Sequence, residues 1–167
     1  FRVDRNAARL TASCTRLCIP APDESLVIDS IKQLVMLDQG WAPSRRGEAL
    51  YVRPVLIATE PHLAVRPASR YRLLIFTSPV CEYFAQVKSP LYLKAEERYT
   101  RAPHGGTGYA KTASNYSVTL RPMNDSVEDG FDQILWLDGQ EHKYVEEAGQ
   151  MNIFFRLGDS VVTPDLS

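Results

Sequence analysis

Three glycines, Gly105, Gly106 and Gly108, stand within four residues of one another, and Lys111 follows shortly after them. Glycine lets a backbone bend and come close to a ligand, at an entropic cost that a plain surface loop can avoid. The cluster matches neither the dinucleotide-binding fingerprint nor the phosphate loop in which lysine directly follows the last glycine. Taken alone, it favours an ordinary turn between a predicted strand and a predicted helix.

Helical periodicity dominates the start of the chain. Apolar residues at helical spacing predict a first helix over residues 6–17. Cys14 and Cys18 are four residues apart, so we predict that they share one helical face as small buried side chains. A second helix is capped by Asp23 or Ser25 and stopped by a left-handed Gly40. The predicted buried stripe of this second helix consists of Leu26, Val27, Ile31, Leu34, Val35 and Leu37.

Strand patterns follow the helices. Residues 49–58 and 71–77 are rich in Val, Leu, Ile and Tyr, and we predict that they pair in one sheet. Prolines flank a stretch of mixed character, which we interpret as a domain linker at residues 81–90. In the second half we predict a helix over residues 115–128, strands over residues 91–99, 132–137, 143–147, 151–157 and 160–163, and a hairpin turn at Gly158-Asp159.

Composition narrows the possible partners. A net charge of −1 argues against a nucleic-acid partner, because such proteins usually carry a basic patch. No apolar run approaches the roughly 20 residues that span a bilayer, so we expect no membrane partner and a cytoplasmic location. Three cysteines are too few and too odd in number for a disulfide framework, and we identify no metal site. The chain starts without methionine and stops in a loop pattern, so we interpret it as an internal fragment.

The segment from Arg101 to Tyr116 gives the glycine cluster a context. Arg-Ala-x-x-Gly-Gly-Thr-Gly-x-x-Lys, followed by Asn115-Tyr116, resembles the cofactor-lysine segment of branched-chain amino-acid aminotransferases. Further blocks resemble that family in its order: Leu50-Tyr51-Val52-Arg53-Pro54, Ala58-Thr59-Glu60-Pro61, Ser78-Pro79-Val80, Gln133 to Gly139, Val145-Glu146-Glu147 and Met151 to Phe155. The resemblance covers essentially the whole chain.

The resemblance implies a fold class. It is α/β (α+β), the two-domain fold type IV of pyridoxal-phosphate enzymes, here truncated at both ends. Residues 1–80 are then part of a small N-terminal α/β domain, and residues 91–167 are the first part of a larger, barrel-like mixed-sheet domain that binds the cofactor. The family is usually a homodimer, so self-association of the intact protein is expected on resemblance alone.

The resemblance also implies site residues. Lys111 is the catalytic lysine that holds pyridoxal 5′-phosphate, and a lysine suits this role because its amine becomes nucleophilic and basic when it loses its charge. Glu147 matches the carboxylate beside the pyridine nitrogen, and Tyr116 the tyrosine at the ring oxygen. Arg9 and Arg101 match the arginines that contact the phosphate. Neighbouring Glu146 is expected to face the other way, since side chains alternate along a strand.

Substrate contacts and two departures complete the expected site. Tyr51, Arg53, Val65 and Tyr116 match substrate-binding positions of the family. Gln150 stands near the cofactor where the family has a threonine, and its amide can still donate a hydrogen bond. Ser114 replaces a usual glycine, which costs about 1 kcal/mol or more if the position requires a positive φ.

The implied reaction is transamination. Leucine, isoleucine or valine gives its amino group to the cofactor and leaves as a 2-oxo acid, and 2-oxoglutarate then takes the group to become glutamate. Two alternatives stay open. One is a different fold-type-IV enzyme, such as a D-amino-acid aminotransferase or an aminodeoxychorismate lyase, and the other is a non-catalytic homologue that keeps only the fold. The fragment alone is expected to be inactive.

Overall fold

The computed structural model describes residues 1–81 and 90–165, and the chain divides into two compact units, Phe1–Gln86 and Val87–Ser167. Each unit combines helices with strands, which agrees with the predicted mixed fold class. The linker predicted at residues 81–90 lies, apart from its first and last residues, outside the described residues.

The first unit contains two helices and a two-stranded sheet. Helices α1 (Val3–Arg16) and α2 (Glu24–Leu37) pack against each other, and α2 also contacts the second strand. Strands β1 (Ala49–Ala58) and β2 (Tyr71–Val80) pair in antiparallel register over their full length, as predicted. Strand β2 runs three residues beyond its predicted end, because an edge strand tolerates a proline at position 79.

Helix α2 begins as the sequence predicts but ends differently. The Asp23 carboxylate accepts the backbone N–H groups of Ser25 and Leu26 at 2.8 and 3.1 Å. The Ser25 hydroxyl and these two N–H groups hold the pKa of Asp23 below its usual value. At the other end, the prediction of a left-handed Gly40 is wrong: it lies in the short 3₁₀ helix Gln39–Trp41 without a positive φ.

The buried stripe of α2 is narrower than predicted. Val27 is only 2% exposed, whereas Leu26 and Leu37 are 58% and 82% exposed. At about 100° per residue, Leu26 and Leu37 lie roughly 80–100° around the helix axis from Val27. Their apolar side chains therefore fall outside the face that packs within this unit.

Helix α1 ends in a Schellman motif whose left-handed position holds a cysteine. The Ile19 N–H donates to the Cys14 carbonyl at 2.9 Å, and the Cys18 N–H donates to the Thr15 carbonyl at 3.3 Å. Cys18 has a φ of 54°, in the left-handed region where glycine is usual. Cys14 is buried as predicted, but Cys18 is exposed, because it follows the last helical turn instead of sharing a face with Cys14.

Replacing Cys18 with glycine is expected to stabilise the protein. Removing the Cβ relieves a left-handed conformation worth about 1–2 kcal/mol, partly offset by the greater freedom of glycine in the unfolded chain. We expect a net gain of about 0.5–1 kcal/mol, measured by chemical denaturation of the whole protein. The matched control is Cys18→Ala, which removes the thiol but keeps the Cβ and should change little. A Cys18→Ala variant as stable as Cys18→Gly would contradict the backbone explanation.

The second unit is organised around a three-stranded sheet. Strands β3 (Leu93–Glu96) and β4 (Gln133–Leu137) are parallel, and β5 (Val145–Ala148) is antiparallel to β4. The connection from β3 to β4 contains the glycine cluster and the helices α3 (Ser114–Ser117) and α4 (Leu120–Glu128). Strands β6 (Phe155–Leu157) and β7 (Ser160–Val162) form the predicted hairpin, with its turn at Gly158-Asp159.

Three elements of this unit differ from the prediction. The strand predicted over residues 151–157 is limited to its last three residues, Phe155–Leu157. Strand β3 is shorter, because the Glu96 carboxylate accepts the N–H groups of Arg98 and Tyr99 at 2.8 and 3.1 Å and so turns the chain. The single helix predicted over residues 115–128 is two helices. Pro122 has no N–H to donate to the carbonyl four residues earlier, and it is tolerated in the first turn of the new helix α4.

Strand β4 forms the core of the second unit. Ile134 and Trp136 are each 1% exposed, because β4 lies between two other strands and α4 also contacts it. The strand is therefore almost continuously apolar. The indole N–H of Trp136 donates to the Gly149 carbonyl at 2.8 Å, which joins the core to the end of β5.

A β-bulge interrupts strand β5. Trp136 pairs with Glu147 and Leu137 pairs with Val145, so Glu146 is an extra residue without a partner in the register. The regular alternation from which Glu146 was expected to face away from Glu147 is therefore broken at this residue. The bulge lies next to Glu147, the carboxylate that is predicted to bind the cofactor.

Residues 1–81 and 90–165 contain neither a candidate membrane-spanning helix nor a candidate metal cluster. Within these ranges, no helix is both long and apolar enough to cross a lipid bilayer. Within the same ranges, no group of three or more His, Cys, Asp or Glu side chains could hold a metal ion.

Candidate active site

The glycine cluster forms a compact loop between β3 and α3. The Gly106 N–H donates to the Pro103 carbonyl at 2.9 Å, and Gly105 has a φ of 75°. A Cβ on Gly106 would lie 2.8 Å from the Pro103 oxygen, and one on Gly108 would lie 2.8 Å from the Cβ of Ala102. The two glycines therefore allow a close approach of backbone to backbone, beyond what an ordinary turn requires.

Asn115 holds this loop from inside. Its amide nitrogen donates to the carbonyl oxygens of Ala110, Thr107 and Gly108 at 2.7, 2.8 and 3.4 Å. Its amide oxygen accepts the Thr107 hydroxyl at 2.7 Å, and the residue is only 7% exposed. One side chain thus satisfies backbone carbonyls that no strand or helix satisfies, and it fixes the segment just before Lys111.

Replacing Asn115 with aspartate is expected to unfold this loop. The change removes the donors and places a negative oxygen against three carbonyl oxygens, at a cost of about 2–4 kcal/mol for a buried group. Hydrogen exchange of the amides at residues 105–110 should become much faster, while the unfolding midpoint falls. The control is Asn124→Asp, the same chemical change at an exposed residue whose amide donates to Glu128 at 2.6 Å. Equal effects of the two substitutions would contradict the role assigned to Asn115.

Lys111 and Tyr116 lie together at the end of the loop. The Lys111 amine donates a hydrogen bond to the Tyr116 hydroxyl, and Nζ lies 4.7 Å from the centroid of the tyrosine ring. Lys111 is exposed, although the preceding Ala110 is 2% exposed and anchors the backbone. Ser114 begins helix α3 without a positive φ, so the conformational cost expected of a serine there does not arise.

Arg101 and Glu147 form the second pair of this unit. The Arg101 Nη2 atom lies 3.0 Å from the Glu147 Oε2 atom, with side chains 14% and 24% exposed. Arg101 follows β3, and Glu147 lies on β5 opposite Trp136, so strands on either side of β4 supply the two charges. Arg101 Nε and Glu147 Oε2 are both buried and have no hydrogen-bond partner among the described residues.

A tight turn presents the strand that carries Glu147. The Asp138 carboxylate accepts the N–H groups of four residues of this turn, Gln140, Glu141, Lys143 and Tyr144. These bonds, that of Glu141 first, hold the pKa of Asp138 well below its usual value. Burial raises the pKa of nearby Glu146, and the charges of Asp138 and Glu147 act in the same direction. Glu146 thus lies within the influence of two other carboxylates, and Arg101 acts on it in the opposite direction.

Gln150 is exposed in the turn that follows β5. The turn is held by hydrogen bonds between Ala148 and Met151 in both directions, each 3.0 Å long. Gly149 has a φ of 60°, and its carbonyl accepts the Trp136 indole. The backbone at Gln150 is therefore fixed, and the cofactor contact expected of its side chain stays a prediction.

The remaining predicted site residues belong to the first unit. Arg9 is exposed on α1 and donates to the Asn6 side chain at 2.7 Å. Tyr51 and Arg53 face the same side of β1, as predicted: the Arg53 guanidinium donates to the Tyr51 hydroxyl at 3.3 Å and lies 5.1 Å from its ring centroid. Their expected roles at phosphate and substrate stay predictions.

Val65 lies on a rigid loop between β1 and β2. The Glu60 carboxylate accepts hydrogen bonds from the Arg66 guanidinium, at 2.6 and 3.3 Å, and from the Ser69 N–H. The Arg66 guanidinium, with smaller contributions from Ser69, lowers the pKa of Glu60 to about 2. The loop presents Leu63 and Val65 with their side chains fully exposed. A loop held by an ion pair thus carries two apolar side chains that the described residues of this unit leave exposed.

The side chains of the second unit suit a compact heteroaromatic ring with an anionic group. Glu147 Oε2 is a buried acceptor without a hydrogen-bond donor, and Arg101 Nε is a buried donor without an acceptor. Buried polar atoms are rarely left in this condition, and a ring N–H beside Glu147 would satisfy its carboxylate. The donor set therefore fits the pyridoxal phosphate that the resemblance implies.

Sequence reasoning missed three residues that build this site. The sequence analysis identified Asn115 only as part of the lysine motif. It identified Asp138 and Gln133 only as members of the block from Gln133 to Gly139. In the structure, Asn115 and Asp138 hold loops, and Gln133 packs against Gly149. The signal for Asp138 was available, because aspartate before glycine commonly accepts backbone N–H groups in a turn. The burial of Asn115 had no comparable signal.

Comparison with known proteins identifies the family. The amino-transferase class IV family matches residues 1–167. The chain is 48% identical over its full length to branched-chain-amino-acid aminotransferase 2 of Bacillus subtilis (strain 168), of which it covers 46%. The chain thus spans about half the length of the curated relatives that it matches.

Solved structures agree with this family at the level of the fold. A branched-chain amino acid aminotransferase from Thermobaculum terrenum (M3 mutant) superposes with a TM-score of 0.82 at 20% identity, over 99% of this chain and 51% of that one. The PLP-form of the aminotransferase from the same organism gives a TM-score of 0.75 at 19% identity, over 99% of this chain and 52% of that one. Sequence and fold together place this chain in the class IV aminotransferases.

Proposed function

We propose that the protein containing this chain is a pyridoxal-phosphate-dependent transaminase of branched-chain amino acids, which passes the amino group of leucine, isoleucine or valine to 2-oxoglutarate. The observation that carries this proposal is the lysine–tyrosine pair at positions 111 and 116, held in place by the Asn115 loop. The 48% identity to a relative with that name supports the substrate class.

The chain's own residues divide the chemistry among them. Pyridoxal phosphate, when bound, supplies an aldehyde that reacts with amines and a ring that withdraws electrons. Lys111 holds the cofactor through its amine and later takes and returns a proton at Nζ. Tyr116 orients that amine, and Glu147 offers an anionic acceptor to the ring nitrogen. In this proposal the half-buried setting of Glu147 limits screening of its charge by water.

The proposed substrate contacts lie in the first unit. Tyr51, Arg53 and Val65 are proposed substrate contacts because the resemblance names them and their side chains are exposed. A mixture of apolar and cationic groups suits both a branched side chain and the carboxylate of glutamate. The phosphate contact of Arg9, the homodimer and the cytoplasmic location belong to this proposal on the same basis.

Borohydride trapping tests the proposal directly. The whole protein is incubated with pyridoxal phosphate, reduced with borohydride, digested and mapped by mass spectrometry. We expect the adduct on Lys111, and we expect amino-group transfer from leucine to exceed transfer from D-alanine. Preference for D-alanine would support the D-amino-acid aminotransferase alternative. If no adduct forms anywhere in the chain, the result would support the non-catalytic alternative.

A further inference from the structure

The Arg101–Glu147 contact lies where little water screens it. The two charges are 3.0 Å apart, and the side chains are 14% and 24% exposed. In such surroundings an opposite charge compensates a carboxylate much more strongly than at an open surface, and removing one partner leaves the other uncompensated. The pair therefore constrains both side chains, beyond what a surface ion pair would do.

The contact is also incomplete as a hydrogen-bonded pair. Arg101 Nε has no acceptor, and Glu147 Oε2 has no donor that approaches with hydrogen-bond geometry. A guanidinium that matched the carboxylate in a two-pronged manner would leave neither atom unsatisfied. Glu147 thus keeps an accepting direction available for a further donor while its charge is compensated by Arg101.

The surrounding charges explain why an arginine is needed at this place. The β-bulge inserts Glu146 directly before Glu147, and Asp138 lies at the end of β4. Asp138, Glu147 and Arg101 all act on Glu146, the first two unfavourably and the last favourably for its charged form. Arg101 is the cation of this group. Without it, the described members of the group that surround Glu147 would all be carboxylates.

We infer that Arg101 is a positioning residue for Glu147, acting at the ring end of the cofactor instead of as a phosphate ligand. This inference rests on the proposed function, because it concerns the residues assigned there to pyridoxal phosphate. Arg101 fixes the direction of the Glu147 carboxylate and compensates its charge. The carboxylate can then accept a hydrogen bond from a ring N–H. The resemblance placed Arg101 at the phosphate, so the two assignments make opposite predictions.

Two ring analogues separate these assignments without any catalysis. They are 4-deoxypyridoxine and its 5′-phosphate, which lack the aldehyde and so bind without forming an adduct on Lys111. Dissociation constants are measured on the whole protein by fluorescence titration. If Arg101 acts through Glu147, Arg101→Gln should weaken both analogues by a similar factor, about tenfold, which is typical of coupled neighbouring residues. Weakening of the phosphorylated analogue alone would overturn the inference and restore the phosphate assignment.

A double-mutant cycle tests whether the effect passes through Glu147. In a Glu147→Gln background, Arg101→Gln should add less than about a twofold loss for either analogue. A full tenfold loss in that background would overturn the inference. Arg101→Lys keeps a cation, and it should retain more affinity than Arg101→Gln for both analogues. This variant also supplies the test if Arg101→Gln fails to fold.

The control is another arginine of the same loop. Arg98 is 67% exposed and lies 3.6 Å from Asp125, away from the proposed machinery, so Arg98→Gln should leave both constants unchanged. A different result would contradict the proposed function. If the wild-type protein bound neither analogue and formed no borohydride adduct, the cofactor itself would be ruled out. Tight binding of both analogues together with phosphate-selective loss in Arg101→Gln would argue only against the inference.

Discussion

Replacing Lys111 with alanine is expected to reduce amino-group transfer from leucine by at least about a thousandfold in the whole protein. In the proposed mechanism, the substitution removes both the covalent anchor of the cofactor and the proton carrier, each of which contributes orders of magnitude in enzymes of this kind. The side chain is exposed, so folding should be preserved. The measurement is the rate of glutamate formation, together with the unfolding midpoint.

A second lysine provides the control for this experiment. The Lys143 amine lies 5.3 Å from the ring centroid of Tyr144, in an arrangement similar to that of Lys111 over Tyr116. Lys143→Ala should leave the rate of transfer close to that of the wild type. If Lys111→Ala retained transfer at the wild-type rate, the proposed mechanism would have to be abandoned.

Replacing Gly149 with alanine is expected to destabilise the second unit by about 3 kcal/mol. The residue has a φ of 60°, which costs an L-residue about 1 kcal/mol or more. In addition, a Cβ would lie 2.4 Å from the Gln133 side chain, which is itself 5% exposed and cannot swing into solvent. Overpacking of a buried position costs a further 1–3 kcal/mol or so. Chemical denaturation measures the loss.

Gly158→Ala separates the backbone cost of a positive φ from the steric cost of the contact with Gln133. Gly158 has a φ of 62°, nearly that of Gly149, but nothing lies within 4 Å of its virtual Cβ. Only the backbone cost of about 1 kcal/mol applies there. Equal losses in the two alanine variants would disprove the steric contribution of Gln133. Because Gly149 lies two residues after Glu147, its variant should also weaken cofactor binding more than the Gly158 variant does.

Local patterns predicted the elements whose cause is local. The Asp23 cap, the pairing of β1 with β2 and the β6–β7 hairpin each depend on residues within a few positions or on simple alternation. Patterns were misleading where one residue competes with the pattern around it. Pro122 divides a continuous helical periodicity into two helices, and the Glu96 carboxylate ends a strand that its composition would have continued.

The resemblance named the candidate site residues, but it did not reveal the contacts that support them. The motif named Lys111 and Glu147, because residues that contact a cofactor recur at fixed spacing within the family. The supporting contacts join residues that are distant in sequence, such as Arg101 with Glu147 and Trp136 with Gly149. Spacing along one chain carries no information on such pairs, and a folded structure is needed to find them.

The extra residue in β5 separates the geometry of the Glu147 carboxylate from the length of the preceding turn. Glu147 and Ala148 keep regular register with Trp136 and Leu135, so their orientation is set from the Gly149 end of the strand. The bulge at Glu146 absorbs any mismatch with the turn that Asp138 holds. Residues could accordingly be inserted or lost between positions 139 and 144 during evolution or design while the Glu147 side chain kept its direction.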